Sequence, residues 1–223
     1  MSDQKDVKSE SLRRSVGIWS AKNVAFIAIM GALGNVLSWL SMSLAPFAPN
    51  IPLFGLNISI SFDLSHLTTF IAALYGGPLV GGLTGLVGGA VAANAFGFSK
   101  GNLVIGFALP IGKALTGITA GLIMRALGLQ TWKRHKAFTI ASTIIAYVPE
   151  GVFTVFIFLI MLPIALGIPS EGLDAFRNSL FYFVVAPILV KAFIEMFVMG
   201  VILAAFSANK SFRSFMNGFF KSP

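Results

Sequence analysis

The chain contains no cysteine. That excludes disulfides, a thiolate nucleophile and a thiolate-ligated metal. Only two histidines are present, His66 and His135, and the second lies in a basic loop, so no histidine metal site is expected. Charge is scarce as well. Asp, Glu, Lys and Arg make up 11% of the 223 residues, against about 25% in an ordinary soluble domain. No GxxxxGK[ST] phosphate loop occurs, so the chain is not itself a P-loop ATPase, and no HExxH metal motif occurs. A serine-nucleophile elbow is not expected either, and Ser, His and Asp fall in no arrangement suited to nucleophilic catalysis. The expectation is therefore a protein that is not an enzyme, with no cofactor and no metal.

What the chain has instead is apolar length. Hydrophobic residues make up 56% of it, in runs long enough to cross a hydrocarbon core of about 30 Å. The fold class read from this is an all-α membrane protein with six transmembrane helices in one bundle. The spans are expected at 21–45, 62–75, 79–96, 102–124, 137–162 and 180–206. Residues 1–20 form a polar tail, 21–207 the six-helix domain, and 208–223 a basic tail. The first apolar run is too long for a signal-peptide core and reads as a retained helix. Residues 57–62 alternate polar and apolar, which fits a short extended segment or the frayed start of the second span. The 163–179 stretch reads as a long loop.

The net charge of +8 is distributed as a topology signal, not as a surface for nucleic acid. Twelve Lys and Arg fall in the N-terminal segment, the loop between spans four and five, and the C-terminal tail, whereas the opposite side has only Lys100 and Arg177. By the positive-inside rule both termini are cytoplasmic, in the cell membrane.

Within 62–98, Gly77, Gly81, Gly85, Gly89 and Ala93 recur at i, i+4 and form one small-residue ridge on a helix. Interior glycines cost a soluble helix about 1 kcal/mol each relative to alanine, but in a bilayer they let backbones approach closely. On the first span Ala25, Ala28 and Ala32 share a face that Asn35 continues.

Away from the span ends, four charged residues fall inside spans: Lys113, Glu150, Lys191 and Glu195. Counted from the outer ends at about 1.5 Å per residue, they lie near one level, roughly 16–22 Å deep. Such a charge costs at least about 2.5–3.5 kcal/mol at a helix centre and must find a partner. Pro110, Pro149 and Pro187 each precede one of these charges and free a backbone carbonyl, which is tolerated where it lines a cavity. Two readings follow. One is a polar pocket among the last three spans, open to the outside. The other is a pair of structural ion pairs, Lys113–Glu150 and Lys191–Glu195. Tyr147 stands one turn from Glu150. Phe47, Phe54 and Asn57 in the first outward loop, with Asn94, Phe98 and Asn102 around the next, supply aromatic and amide groups suited to a flat polar heterocycle of vitamin size. Asp63 and His66 head the second span; a helix cap is favoured for Asp63 over a ligand contact.

In order and spacing these features resemble the substrate-binding S components of energy-coupling factor (ECF) vitamin transporters. The similarity rests on FDLSHLTTFIAALYGGPLVGGLTGLVGG, on the AxxxA of Ala28 and Ala32, and on APILVKAFIE, which is similar to the Pro-x-x-x-Lys pattern of riboflavin-type members. The resemblance implies capture of a vitamin or related micronutrient, of riboflavin-like shape, at the outer face. It implies partners as well: a transmembrane coupling subunit, contacted through Ala28 and Ala32, and two cytoplasmic ATPases. Lys191 matches a binding position of the family. Riboflavin-type members often carry a second acid where this chain has His66. The alternative reading is a stand-alone proton- or sodium-coupled transporter with Glu150 or Glu195 as its proton site. Such transporters often show inverted repeats, and no repeat relates the two halves of this chain.

Overall fold

A computed structural model of the chain describes residues 20–48, 50–53, 56–59, 62–129 and 136–221. Helix α1, Ala21–Leu44, starts at Ser20, whose hydroxyl accepts from the Asn23 N–H at 3.3 Å. A 3₁₀ turn at Ala45–Phe47 leads to strands β1, Asn50–Leu53, and β2, Leu56–Ser59. These pair antiparallel, with Asn50 opposite Ser59 and Leu53 opposite Leu56. The alternating stretch thus resolves in part as an extended segment, and the chain is helical but not purely so.

Helix α2, Ser65–Gly76, is followed by α3, Pro78–Gly88, and α4, Ala90–Phe96. Gly77 joins α2 to α3 at φ 87° and ψ −172°, a conformation essentially confined to glycine and costing other residues about 1–3 kcal/mol. Pro78 then opens α3, where its missing N–H is no loss. The long α5 covers Leu103–Ala126.

The expected fifth span is interrupted. It comprises α6, Lys136–Ala146, α7, Val148–Phe156, a π-helical turn at Ile157–Met161, and α8, Leu162–Ala165. The sixth is longer than expected: α9, Leu173–Leu180, a π turn at Phe181–Val185, and α10, Ala186–Ala208. Part of the predicted 163–179 loop is therefore helix. Each π turn ends two residues before a proline, Pro163 and Pro187. Proline cannot donate to the carbonyl four residues back, and its ring crowds that carbonyl. Widening the preceding turn relieves both problems. At Pro163 that carbonyl belongs to Leu159, and Arg177 Nε donates to it at 2.9 Å.

Among the described residues, five segments are long and apolar enough to cross a membrane: Ala21–Phe47, Pro78–Lys100, Leu103–Ala126, Lys136–Ala165 and Ser170–Ala208. The second helix falls short of the six-span expectation. Its 12 residues reach only about 18 Å, and nearly all of them are buried in the middle of the bundle. It nevertheless reverses the chain direction. Ser41 Oγ accepts from Leu64 N–H at 3.2 Å, and Gly34 faces Thr68, so α1 and α2 are antiparallel.

The glycine ridge packs on α5 in antiparallel register. Pro78 meets Gly121, Gly81 meets Gly117, Gly85 meets the backbone of Lys113, and Gly89 meets Pro110. A Cβ on Gly81 would stand 2.8 Å from the Gly117 carbonyl oxygen, closer than side chains tolerate. Helix α5 thus carries its own run of small residues complementary to the ridge. Large apolar side chains such as Trp39, Phe107, Val152 and Phe183 face outward, an arrangement suited to lipid and unfavourable in water.

The basic tail folds as an amphipathic helix α11, Lys210–Lys221. Its Phe219 and Phe220 rings lie 5.5 and 4.9 Å from Phe26, and Phe212 lies 6.0 Å from Tyr75.

Candidate functional site

A cavity of about 500 Å³ lies inside the bundle, within the size range typical of small-molecule sites. The head of α2 supplies Asp63 and His66 to its wall, and α4 supplies Ala92 and Phe96. Helix α5 contributes Ile105, Leu109, Gly112 and Lys113. Tyr147, Glu150, Phe153 and Phe158 come from the interrupted fifth span, and α10 adds Ile188, Lys191, Ala192 and Glu195.

All four intramembrane charges, which the depth count puts near one level, line this cavity. Their pairing differs. Lys113 is buried at 4% exposure, and its Nζ lies 2.8 Å from Asp63 Oδ2 and donates also to Ser65 Oγ. Glu150 faces His66 instead: its Oε2 is 3.4 Å from His66 Nε2 and accepts from Thr116 Oγ1. The expected Lys113–Glu150 pair is thus replaced by two separate contacts. Lys191 does approach Glu195, at 3.6 Å. Glu195 Oε1 also accepts from the Asp63 backbone N–H at 2.9 Å.

The cause of the re-pairing is the short α2. A full-length second span would place Asp63 at the outer surface. A 12-residue helix instead begins inside the bundle, at the level of Lys113. Asp63 does take up a helix-head N–H, that of Ser65 at 3.0 Å through Oδ1, while Oδ2 holds Lys113. The same carboxylate thus serves the helix head and lines the cavity. His66 was read only as a second helix-head residue. It is 5% exposed and lines the cavity, and its Nδ1 is buried with no hydrogen-bond partner among the described residues. An orphaned buried polar atom is uncommon and calls for a physical reason.

The two lysines are not equivalent. Lys113 is enclosed, with its Nζ held by an acid and a hydroxyl. Lys191 keeps 31% of its side chain exposed and holds Glu195 only at the longer distance. Tyr147 is buried against the Phe193 ring at 5.5 Å, in a T-shaped pair.

The remaining sequence candidates fall elsewhere. Asn94 is exposed and outside the cavity lining. Asn102 caps α5, its side-chain oxygen accepting from Ile105 N–H at 3.0 Å. Asn57 is described only through its backbone, opposite Pro52 in the hairpin, and Phe54 lies outside the described residues. Ala28 and Ala32 are exposed on the outside of α1. Asn35 does not continue their face but turns inward onto the third span. Contrary to the sequence expectation, residues 97–101 do spell G-x-S-x-G. They join two helices, not a strand to a helix as a nucleophile elbow requires, and Ser99 Oγ donates to the Ala95 carbonyl.

A family model described as "ECF transporter, substrate-specific component" matches residues 22–206, which takes in every cavity residue. No curated protein and no solved structure matches the chain. The match spans most of the chain, from the start of α1 to the end of α10, and the chain belongs to the family of substrate-specific components of ECF transporters.

Proposed function

We propose that the cavity binds a vitamin or related micronutrient with a flat, polar heterocycle, taken from the outer face of the cell membrane. As a substrate-specific component the chain is a binding subunit of a transporter and not an enzyme. The observation that carries the ligand reading is the lining of the cavity. Phe96, Tyr147, Phe153 and Phe158 offer aromatic surface, while Lys191 and Glu150 keep capacity for a ligand. Lys191 can meet an anionic or carbonyl group; Glu150 Oε1 can accept from a ring N–H. In this reading Lys113 holds Asp63 in place and does not itself contact ligand. A riboflavin-like heterocycle carries both kinds of group, though His66 distinguishes this wall from the riboflavin-type pattern.

Delivery of the ligand would use a coupling subunit and two cytoplasmic ATPases, with Ala28 and Ala32 on the docking face. Small residues on an exposed helix surface allow close helix–helix approach in a bilayer. The topology we favour counts α2 as a crossing, because it reverses direction between α1 and α3. Six crossings put both termini on the side with twelve basic residues, the cytoplasm.

The test is a thermal-shift screen of purified protein against a vitamin panel without ATP. Ligand at 100 times Kd should add about 2.7 kcal/mol of stability. Stabilisation by one vitamin or a close chemical group is expected; stabilisation by none would contradict the proposal.

A further inference from the structure

The third span is broken where α3 ends at Gly88 and α4 begins at Ala90. In an unbroken helix the Val91 N–H would donate to the Val87 carbonyl. Here both groups turn to Asn35 of α1. The Val91 N–H donates to Asn35 Oδ1 at 2.9 Å, and Asn35 Nδ2 donates to the Val87 carbonyl at 2.8 Å. The amide is spliced into the hydrogen-bond ladder in place of the missing backbone bond, a recognised cause of helix kinks. Neighbouring glycines bring α1 close enough for this. A Cβ on Gly31 would stand 2.6 Å from Val87 Cγ1, and one on Gly34 would stand 3.4 Å from Gly88 Cα.

Beyond the break, α4 has only seven residues, too few to hold a helix by its own hydrogen bonds. Two of them, Ala92 and Phe96, form cavity wall. We propose that Asn35 is a positioning residue for the cavity, holding α4 so that Ala92 and Phe96 close that side. A shift of α1 would then be transmitted to the wall through the amide, linking the helix that exposes Ala28 and Ala32 to the cavity. The importance of that wall rests on the cavity being the ligand site; the position of α4 does not.

The absence of native cysteine allows a direct test with single thiols. A92C places a thiol on the wall, where the native residue is 5% exposed, and A120C places one at a fully buried position on α5. Each is labelled with a charged, water-soluble methanethiosulfonate, with and without N35L. The expected result is about tenfold faster labelling of A92C in the N35L background, as local opening exposes the thiol, with the A120C rate unchanged. N35A carries the same comparison if N35L does not give monodisperse protein. An unchanged A92C rate would overturn the proposal. So would equal acceleration at both positions, or failure of both variants to fold, since either indicates a global structural role. None of these outcomes depends on the ligand, so failure here leaves the proposed binding function standing.

Discussion

Substituting the two cavity lysines by methionine should separate stability from ligand binding. Lys113 is 4% exposed, and its ammonium is held by Asp63 and Ser65. K113M leaves Asp63 without its counter-ion inside the bundle. Removing one partner of a buried pair costs about 3–5 kcal/mol. Asp63 keeps 28% of its side chain exposed, so the lower end applies, about 3 kcal/mol. For a chain of this length that corresponds to a fall in Tm of roughly 6–12 °C. Lys191 is 31% exposed, but Glu195, 3.6 Å away, is only 7% exposed, so K191M also leaves a buried carboxylate without its counter-ion, again at about 3 kcal/mol. K191M should therefore lower Tm by a similar roughly 6–12 °C and in addition reduce ligand affinity, more than K113M does. The assay is unfolding in detergent followed by intrinsic fluorescence or light scattering. D63N in the K113M background should recover part of the loss, because it removes the stranded charge. A loss of ligand affinity in K113M equal to that in K191M, or a K113M with unchanged Tm, would refute the division of roles.

Other consequences follow from the packing. G85A should destabilise the protein by more than about 1 kcal/mol in the same assay, since the added methyl meets the Lys113 carbonyl in the α3–α5 contact and overpacking costs about 1–3 kcal/mol. G172A, where no described residue lies within 4 Å of the added methyl, should leave Tm nearly unchanged. Leucine at both Ala28 and Ala32 should abolish co-purification with the coupling subunit while leaving vitamin binding by the isolated chain intact; loss of binding as well would place those residues in the core. E150Q should weaken ligand affinity by at least about tenfold if the carboxylate accepts a ligand N–H, charged hydrogen bonds being worth about 1.5–3 kcal/mol.

The apolar runs made most helix positions legible, because a bilayer demands length and hydrophobicity before anything else. The Gly-Pro turn and glycine ridge were legible for the same reason: only close packing in lipid explains so many helical glycines. The breaks were not. Gly88–Gly89, Tyr147 and the two π turns interrupt segments of uniform hydropathy, and hydrogen-bond register leaves no trace in composition. Depth counting correctly brought Lys113, Glu150, Lys191 and Glu195 together. It supplied no azimuth, so it could not tell that Lys113 turns to Asp63 and Glu150 to His66. The short α2 brings Asp63 and His66 to the level of these charges. The C-terminal helix was legible in principle, since Phe212, Met216, Phe219 and Phe220 follow a helical spacing within KSFRSFMNGFFK.

The most direct test of the central claim is uptake into proteoliposomes of a radiolabelled vitamin selected by the stability screen. Reconstituted alone, the chain should bind the vitamin but accumulate none, with or without a proton or sodium gradient. Adding a coupling subunit and its two ATPases with ATP inside the transport cycle should produce accumulation. Gradient-driven accumulation by the chain alone would contradict the account and identify a secondary transporter.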